Sequence, residues 1–172
     1  STGTALHPSF PGRGGQVVAL RIMTSDDLDA VAALEEQISP GPWTRGIFRD
    51  CLLAGYDAWV GVAGDQLLSF GVLSVGAAEA HVLKLGFNPL YRRRGHGREM
   101  LHQLLGSAKQ LGAERAFLEV RVSNHAAQEL YHQAGFHEIG VRLQYYRNKE
   151  GREDALVLSR SLINALSTLS ES

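Results

Sequence analysis

Cysteine is nearly absent from this chain of 172 residues. Cys51 stands alone, so no internal disulfide forms and no thiolate metal cage can be built. Neither sign of charge is in excess: 17 Lys and Arg against 18 Asp and Glu leave a formal net charge of −1. That balance gives no global basic field for nucleic acid, so no direct nucleic-acid partner is expected and any anion site must be local. No apolar run approaches the roughly 20 residues of a membrane-spanning helix, and no signal-peptide pattern is visible. A cytoplasmic protein without a membrane partner is expected. Seven histidines are scattered without a His-Glu-x-x-His spacing, so no metal is expected.

What is present suits one ordinary domain, because 44% of the residues are apolar, enough for a core. Residues 1–16, with Gly3, Pro8, Pro11, Gly12, Gly14 and Gly15, read as a flexible tail or tag remnant, and residues 163–172 as a fraying C-terminal tail. The folded domain is expected over 17–162. The pattern predicts a strand over 17–23, a helix capped by Thr24-Ser25 and running to about Gln37, and a break at Ser39-Pro40-Gly41-Pro42. A short helix opened by Thr44 follows, then strands over 56–63 and 66–75 joined at Gly64-Asp65, and a third strand over 79–87. Beyond lie a long helix to Leu111 stopped by Gly112, a strand over 116–122, a helix over 125–134 stopped by Gly135, and a last hairpin of 136–146 and 154–159. This order predicts an α/β (α+β) fold with a mixed, mostly antiparallel sheet of about seven strands flanked by about four helices.

The stretch Arg92-Arg93-Arg94-Gly95-His96-Gly97-Arg98 follows the apolar strand Val82-Leu83-Lys84-Leu85-Gly86-Phe87 and opens the long helix. A strand running through a glycine-bearing loop into a helix presents unpaired N–H groups and the positive end of a helix dipole, which suits phosphate. A solvated basic turn would have the same spacing. Gly86, inside a strand, marks a bulge or a close backbone approach. Cys51, among Ile47, Phe48, Leu52 and Leu53, reads as a small core residue, which argues against a covalent acyl-cysteine route.

Taken together, Arg92 to Gly97, Leu118 to Arg121, Ser123-Asn124, Leu130-Tyr131 and Gly135-Phe136 resemble the GNAT superfamily of acetyl-CoA-dependent N-acetyltransferases. Pro42-Trp43, Tyr145-Tyr146 and Gly151 to Ala155 make the chain similar, within that superfamily, to the bacterial ribosomal-protein alanine N-acetyltransferases. The resemblance spans roughly residues 17–160 and rests on the combination, since each motif alone recurs by chance.

The resemblance implies acetyl-CoA as cosubstrate, without a metal. Its arm would lie along Leu85, Gly86 and Phe87, its pyrophosphate on Arg93, Arg94, Gly95, His96, Gly97 and Arg98, and Asn124 would contact the arm. Asn124 is equally placed to cap its helix. The resemblance selects Glu119 as base and Tyr131 as acid. The strand pattern alone is served as well by a solvated Glu119, and the helix pattern by a core Tyr131. Glu79 and His81, on the preceding strand, are reserve bases. The implied acceptor is the N-terminal amine of a protein, an alanine-starting small-subunit ribosomal protein, with Trp43, Tyr145 and Tyr146 lining its entrance and Glu35 and Glu153 available to its positive charge. An α-amine has a pKa of about 7.7–8.0 against about 10.4 for lysine, so it needs less help to lose its proton. Acetylation of lysine side chains or small amines, and a non-catalytic acyl-CoA sensor, are the competing readings.

Overall fold

The computed structural model describes residues 10–11, 17–91 and 95–163. Arg92, Arg93 and Arg94 lie outside the described residues, as do most of the two tails. Within the N-terminal tail, β1 (Phe10–Pro11) is a two-residue strand paired with the start of the next one.

The described elements follow the expected order: β2 (Val17–Ile22), α1 (Leu28–Ile38), α2 (Arg45–Leu53), β3 (Asp57–Ala63), β4 (Gln66–Gly76), β5 (Glu79–Phe87), α3 (His96–Gln110), β6 (Arg115–Arg121), α4 (His125–Gln133), β7 (His137–Asn148) and β8 (Gly151–Ser161). The strands form one sheet in the order β1-β2-β3-β4-β5-β6-β8-β7. Every neighbouring pair is antiparallel except β5 and β6. The seven strands after β1 are the seven anticipated. The last hairpin runs longer than its hydrophobic pattern suggests, because β7 is an edge strand whose residues are nearly all exposed and carry no core signature.

Both faces of the sheet are covered. On one, α3 and α4 pack Met100, Leu101, Leu104, Leu105, Ala108 and Tyr131 over Ala80, Val82, Leu118 and Val120. On the other, α1 and α2 pack Leu28, Val31, Leu34, Phe48 and Cys51 over Val60, Phe70 and Val72. Leu111, where the long helix was expected to end, is the C-cap of α3 and is 57% exposed, beyond the last turn over the sheet. Cys51 is buried in the core, as its neighbours suggested.

The decisive feature is where β5 and β6 part. They pair only at Glu79↔Arg115, Ala80↔Ala116 and His81↔Phe117. Beyond that point β5 stays bound to β4 as far as Phe87, while β6 stays bound to β8 as far as Arg121. The two inner edges therefore diverge with their N–H and C=O groups unpaired across the gap, a costly state for sheet backbone unless something else occupies it. The divergence has a local partner. Opposite Val72 and Leu73, β5 carries one extra residue, Leu83, which bends the strand and reverses the face on which later side chains fall.

Candidate active site

The bulge lies at Leu83, so of the two readings of Gly86 the close backbone approach is the one that holds. A Cβ on Gly86 would come within 2.4 Å of Phe70 Cζ and 2.8 Å of Ile38 Cδ1. Only glycine lets β5 lie directly on the α1–α2 core at this point. Leu85 leans toward the α3–α4 core, and Phe87 packs at the mouth of the gap.

At that mouth α3 begins. Gly95 is its N-cap, with φ at +76°, a left-handed conformation that side chains disfavour. Among the described residues no side chain of the N-cap closes this helix, and a helix N-terminus is the positive end of its dipole, which suits an anion. Gly97 fits under Phe87, whose Cδ1 would lie 3.1 Å from an added Cβ. Phe87, Gly95, His96, Gly97 and Arg98 face Ala127 and Leu130 of α4 across a cleft of about 250 Å³. His96 is buried, with Nδ1 3.8 Å from Glu99 and its ring against Tyr91. Asn124 does cap α4, its Oδ1 accepting from Ala127 N at 3.1 Å.

Glu119 and Tyr131 flank the gap from opposite faces of the sheet. Leu118 and Val120 point toward α4, where Tyr131 packs with them, so the alternation of β6 turns Glu119 to the other face. Glu119 is 8% exposed in its side chain and accepts from two donors. His81 Nε2 stands 2.5 Å from Oε2, and Arg142 Nε donates to Oε1 at 3.3 Å. Burial alone would push the Glu119 carboxyl up, but the His81 hydrogen bond and the charges of His81 and Arg142 outweigh it and hold it below the usual glutamate range. Burial pushes the Tyr131 phenol well above its ordinary value, so it stays protonated. Its ring meets Phe136 edge-on at 6.0 Å.

Tyr146 joins the two. Burial drives its phenol upward, and the nearby Glu119, Tyr145 and Tyr131 add to the shift while Arg121 opposes it. The Arg121 guanidinium lies 4.4 Å over the Tyr146 ring. Tyr145 is more exposed, set edge-on to Tyr146 at 4.9 Å, with Arg142 over its ring. Tyr145 lies inside an interruption in β7 pairing between Arg142 and Tyr146, where Gln144 takes a φ of +51°, and Tyr146 is the residue at which pairing resumes.

Trp43 is partly a core residue, edge-on to Phe48 at 5.3 Å, with Lys84 Nζ 5.4 Å from its ring centroid. Glu35 and Glu153, considered as attractors for a cationic N-terminus, are already engaged. Glu35 is fully buried; it binds Lys84 Nζ at 2.6 Å, accepts from Ser39 Oγ at 2.7 Å and accepts from Trp43 N at 2.9 Å. Glu153 accepts from Arg121 at 3.0 Å and from Ser123 N at 3.3 Å. Sequence reasoning passed over Lys84, Arg121 and Arg142. Their signal was available in part: alternation puts Glu119 and Arg121 on one face of β6, but the Leu83 bulge that brings Lys84 to that face leaves no mark in the sequence.

A parallel pair that parts beside a helix N-terminus, with a carboxylate on one side and a phenol on the other, fits an acyltransferase that draws its acyl group from a coenzyme A thioester. The sequence profile of the acetyltransferase (GNAT) family matches residues 28–136, and the chain belongs to that family. The ribosomal protein bS18-alanine N-acetyltransferase of Salmonella typhimurium is 31% identical over 140 residues, covering 81% of this chain and 95% of that protein. The N-alpha-acetyltransferase RimI of Mycobacterium tuberculosis is 34% identical over 137 residues, covering 76% of this chain and 85% of its own. The crystal structure of the ribosomal-protein-S18-alanine N-acetyltransferase from Escherichia coli superposes with a TM-score of 0.79 at 29% identity, over 86% of this chain and 96% of that one. Among the described residues no cluster of side chains could hold a metal, and no helix is long and apolar enough to cross a membrane.

Proposed function

We propose that this acetyltransferase transfers acetyl from acetyl-CoA to the N-terminal α-amine of a protein, an alanine-starting ribosomal protein of the small subunit, in the cytoplasm. The observation that carries the reading is the parted β5–β6 edge with Glu119 on one side and Tyr131 on the other. Acetyl-CoA would enter with its arm along Leu85, Gly86 and Phe87 and its pyrophosphate on residues 93–98, with Asn124 beside the arm. The α3 N-terminus at the mouth of the cleft supports that placement.

The acceptor amine approaches from the α1–α2 face, where Trp43, Tyr145 and Tyr146 offer rigid aromatic walls with polar tips. Glu119 supplies the basicity that frees the amine's lone pair. The nitrogen attacks the thioester carbonyl, and the sulfur leaves toward the opposite face. There the Tyr131 phenol donates a hydrogen bond to the developing thiolate and then a proton. The names of the relatives support an N-terminal α-amine as acceptor, and those of the bS18 enzymes an alanine.

The test compares three peptides by mass spectrometry: one starting with alanine, the same peptide blocked at its N-terminus and carrying a lysine, and one with a different first residue. The alanine-first peptide is expected to be acetylated fastest. Faster acetylation of the blocked peptide would favour lysine as acceptor. Binding of acetyl-CoA without turnover of any amine would favour a sensor.

A further inference from the structure

Every turnover that starts from an ammonium must dispose of a proton, and Glu119 is badly placed to keep one. It is nearly buried, it is occupied on both oxygens, and the Arg142 guanidinium beside Oε1 opposes its neutralisation. His81 differs on each count. It sits on β5 at the last paired position before the strands part, facing Glu119 across the apex of the gap. Its side chain is 37% exposed, and among the described residues Nδ1 has no hydrogen-bond partner. An ionised carboxylate can only accept. The 2.5 Å contact therefore assigns the hydrogen to Nε2 in the neutral ring and leaves the lone pair on Nδ1.

We propose that His81 receives the proton of the acceptor amine at Nδ1, directly or through one water, and that Glu119 acts through it by orienting the ring and stabilising the imidazolium. This rests on the reading of the site above and names the atom that holds the proton. The charged and titratable groups around the pair are Glu119 and Arg115 of β6, Arg142 and Tyr146 of β7, and Glu79 on its own strand. Arg115 is turned away, donating to Ser159 Oγ at 3.0 Å.

The step balances. One proton leaves the ammonium for Nδ1 and passes from there to solvent. The amine lone pair forms the N–C bond, the carbonyl pair moves to oxygen and returns as the C–S bond breaks, and Tyr131 gives its proton to sulfur. The remaining extra proton on nitrogen replaces the one Tyr131 gave. Each turnover thus releases one proton, through His81.

The experiment uses the full chain and whichever amine the wild type acetylates, in single-turnover format with acetyl-CoA. His81→Ala and His81→Gln are both expected to slow transfer by roughly 10²–10⁴-fold. Added imidazole is expected to restore His81→Ala, with substituted imidazoles rescuing in step with their basicity, whereas Glu119→Gln gains nothing. Long-range proton–nitrogen NMR on the wild type is expected to show the Nε2–H tautomer of His81, lost in Glu119→Gln. Full activity in either His81 variant overturns the proposal. So does loss of activity without imidazole rescue, which would return the proton directly to Glu119. If the wild type ignores peptide N-termini but acetylates lysine or a small amine, the acceptor reading fails while the tautomer and the rescue still decide the role of His81.

Discussion

Two titratable side chains of the site have environments that push in opposite directions. Glu119 is held ionised by its donors, and Tyr131 is held protonated by burial. Among the described residues the Tyr131 hydroxyl takes part in no hydrogen bond, so nothing in the fold depends on it. Tyr131→Phe is expected to change stability by no more than about 1 kcal/mol in urea titration and to leave acetyl-CoA affinity unchanged. Its single-turnover rate should fall by about 10²-fold or more. Equal rates with chemistry limiting would reduce Tyr131 to a core aromatic. Glu119 makes a second prediction, with a sign. Its folded value lies below the ordinary glutamate value of 4.5. Its stabilisation is therefore fully present above about that pH and is lost as pH falls through the depressed folded value. Urea midpoints of the wild type should fall below pH 4.5 more steeply than those of Glu119→Gln, and parallel curves would contradict the pairing.

At the scale of elements, β5 is tied to the α1–α2 loop by a buried ion pair. Lys84 reaches Glu35, whose other bonds hold Ser39 and the backbone of Trp43. The opposite wall lies against the same loop: Arg121, which donates to the carbonyl of Arg147 in β7 at 2.9 Å, is close enough to Gly41 that an added Cβ would meet its Nη2 at 3.2 Å. The proposed entrance for the acceptor is thus bordered by side chains from α1, β5, β6 and β7. Lys84→Met would leave the buried Glu35 carboxylate without its counter-charge, a loss of about 3 kcal/mol, at the lower end for a broken buried pair because two hydrogen bonds to Glu35 remain. Denaturant unfolding checks the size. KM for the acceptor peptide should rise more than Kd for acetyl-CoA, since the loop and not the α3 N-terminus is released.

For the molecule as a whole, the parted strands predict that the cosubstrate stabilises the fold. A ligand bridging unpaired β5 amides and the start of α3 binds only the native state. At a hundredfold excess over Kd it adds about 2.7 kcal/mol, which for a chain of this size raises Tm by roughly 5–10 °C. Thermal unfolding with and without acetyl-CoA measures this. Gly95→Val, which forces a branched side chain into a left-handed φ, should lower both the starting Tm and the shift. An unchanged shift would move the cosubstrate away from α3.

The order of elements, the turn at Gly64-Asp65, the cap at Thr44 and the glycine at the start of α3 were all legible in the chain, because each depends on residues within a few positions of one another. Glu119 and Tyr131 were singled out by resemblance, since periodicity alone left each with an ordinary structural role. Their placement on opposite faces of the gap is tertiary. That β5 and β6 separate after His81 and Phe117, that an extra residue at Leu83 turns Lys84 toward Glu35, and that His81 and Arg142 meet on Glu119 all follow from the register of strands distant in sequence. Local propensity carries no information about such register; packing of two cores against one sheet decides it.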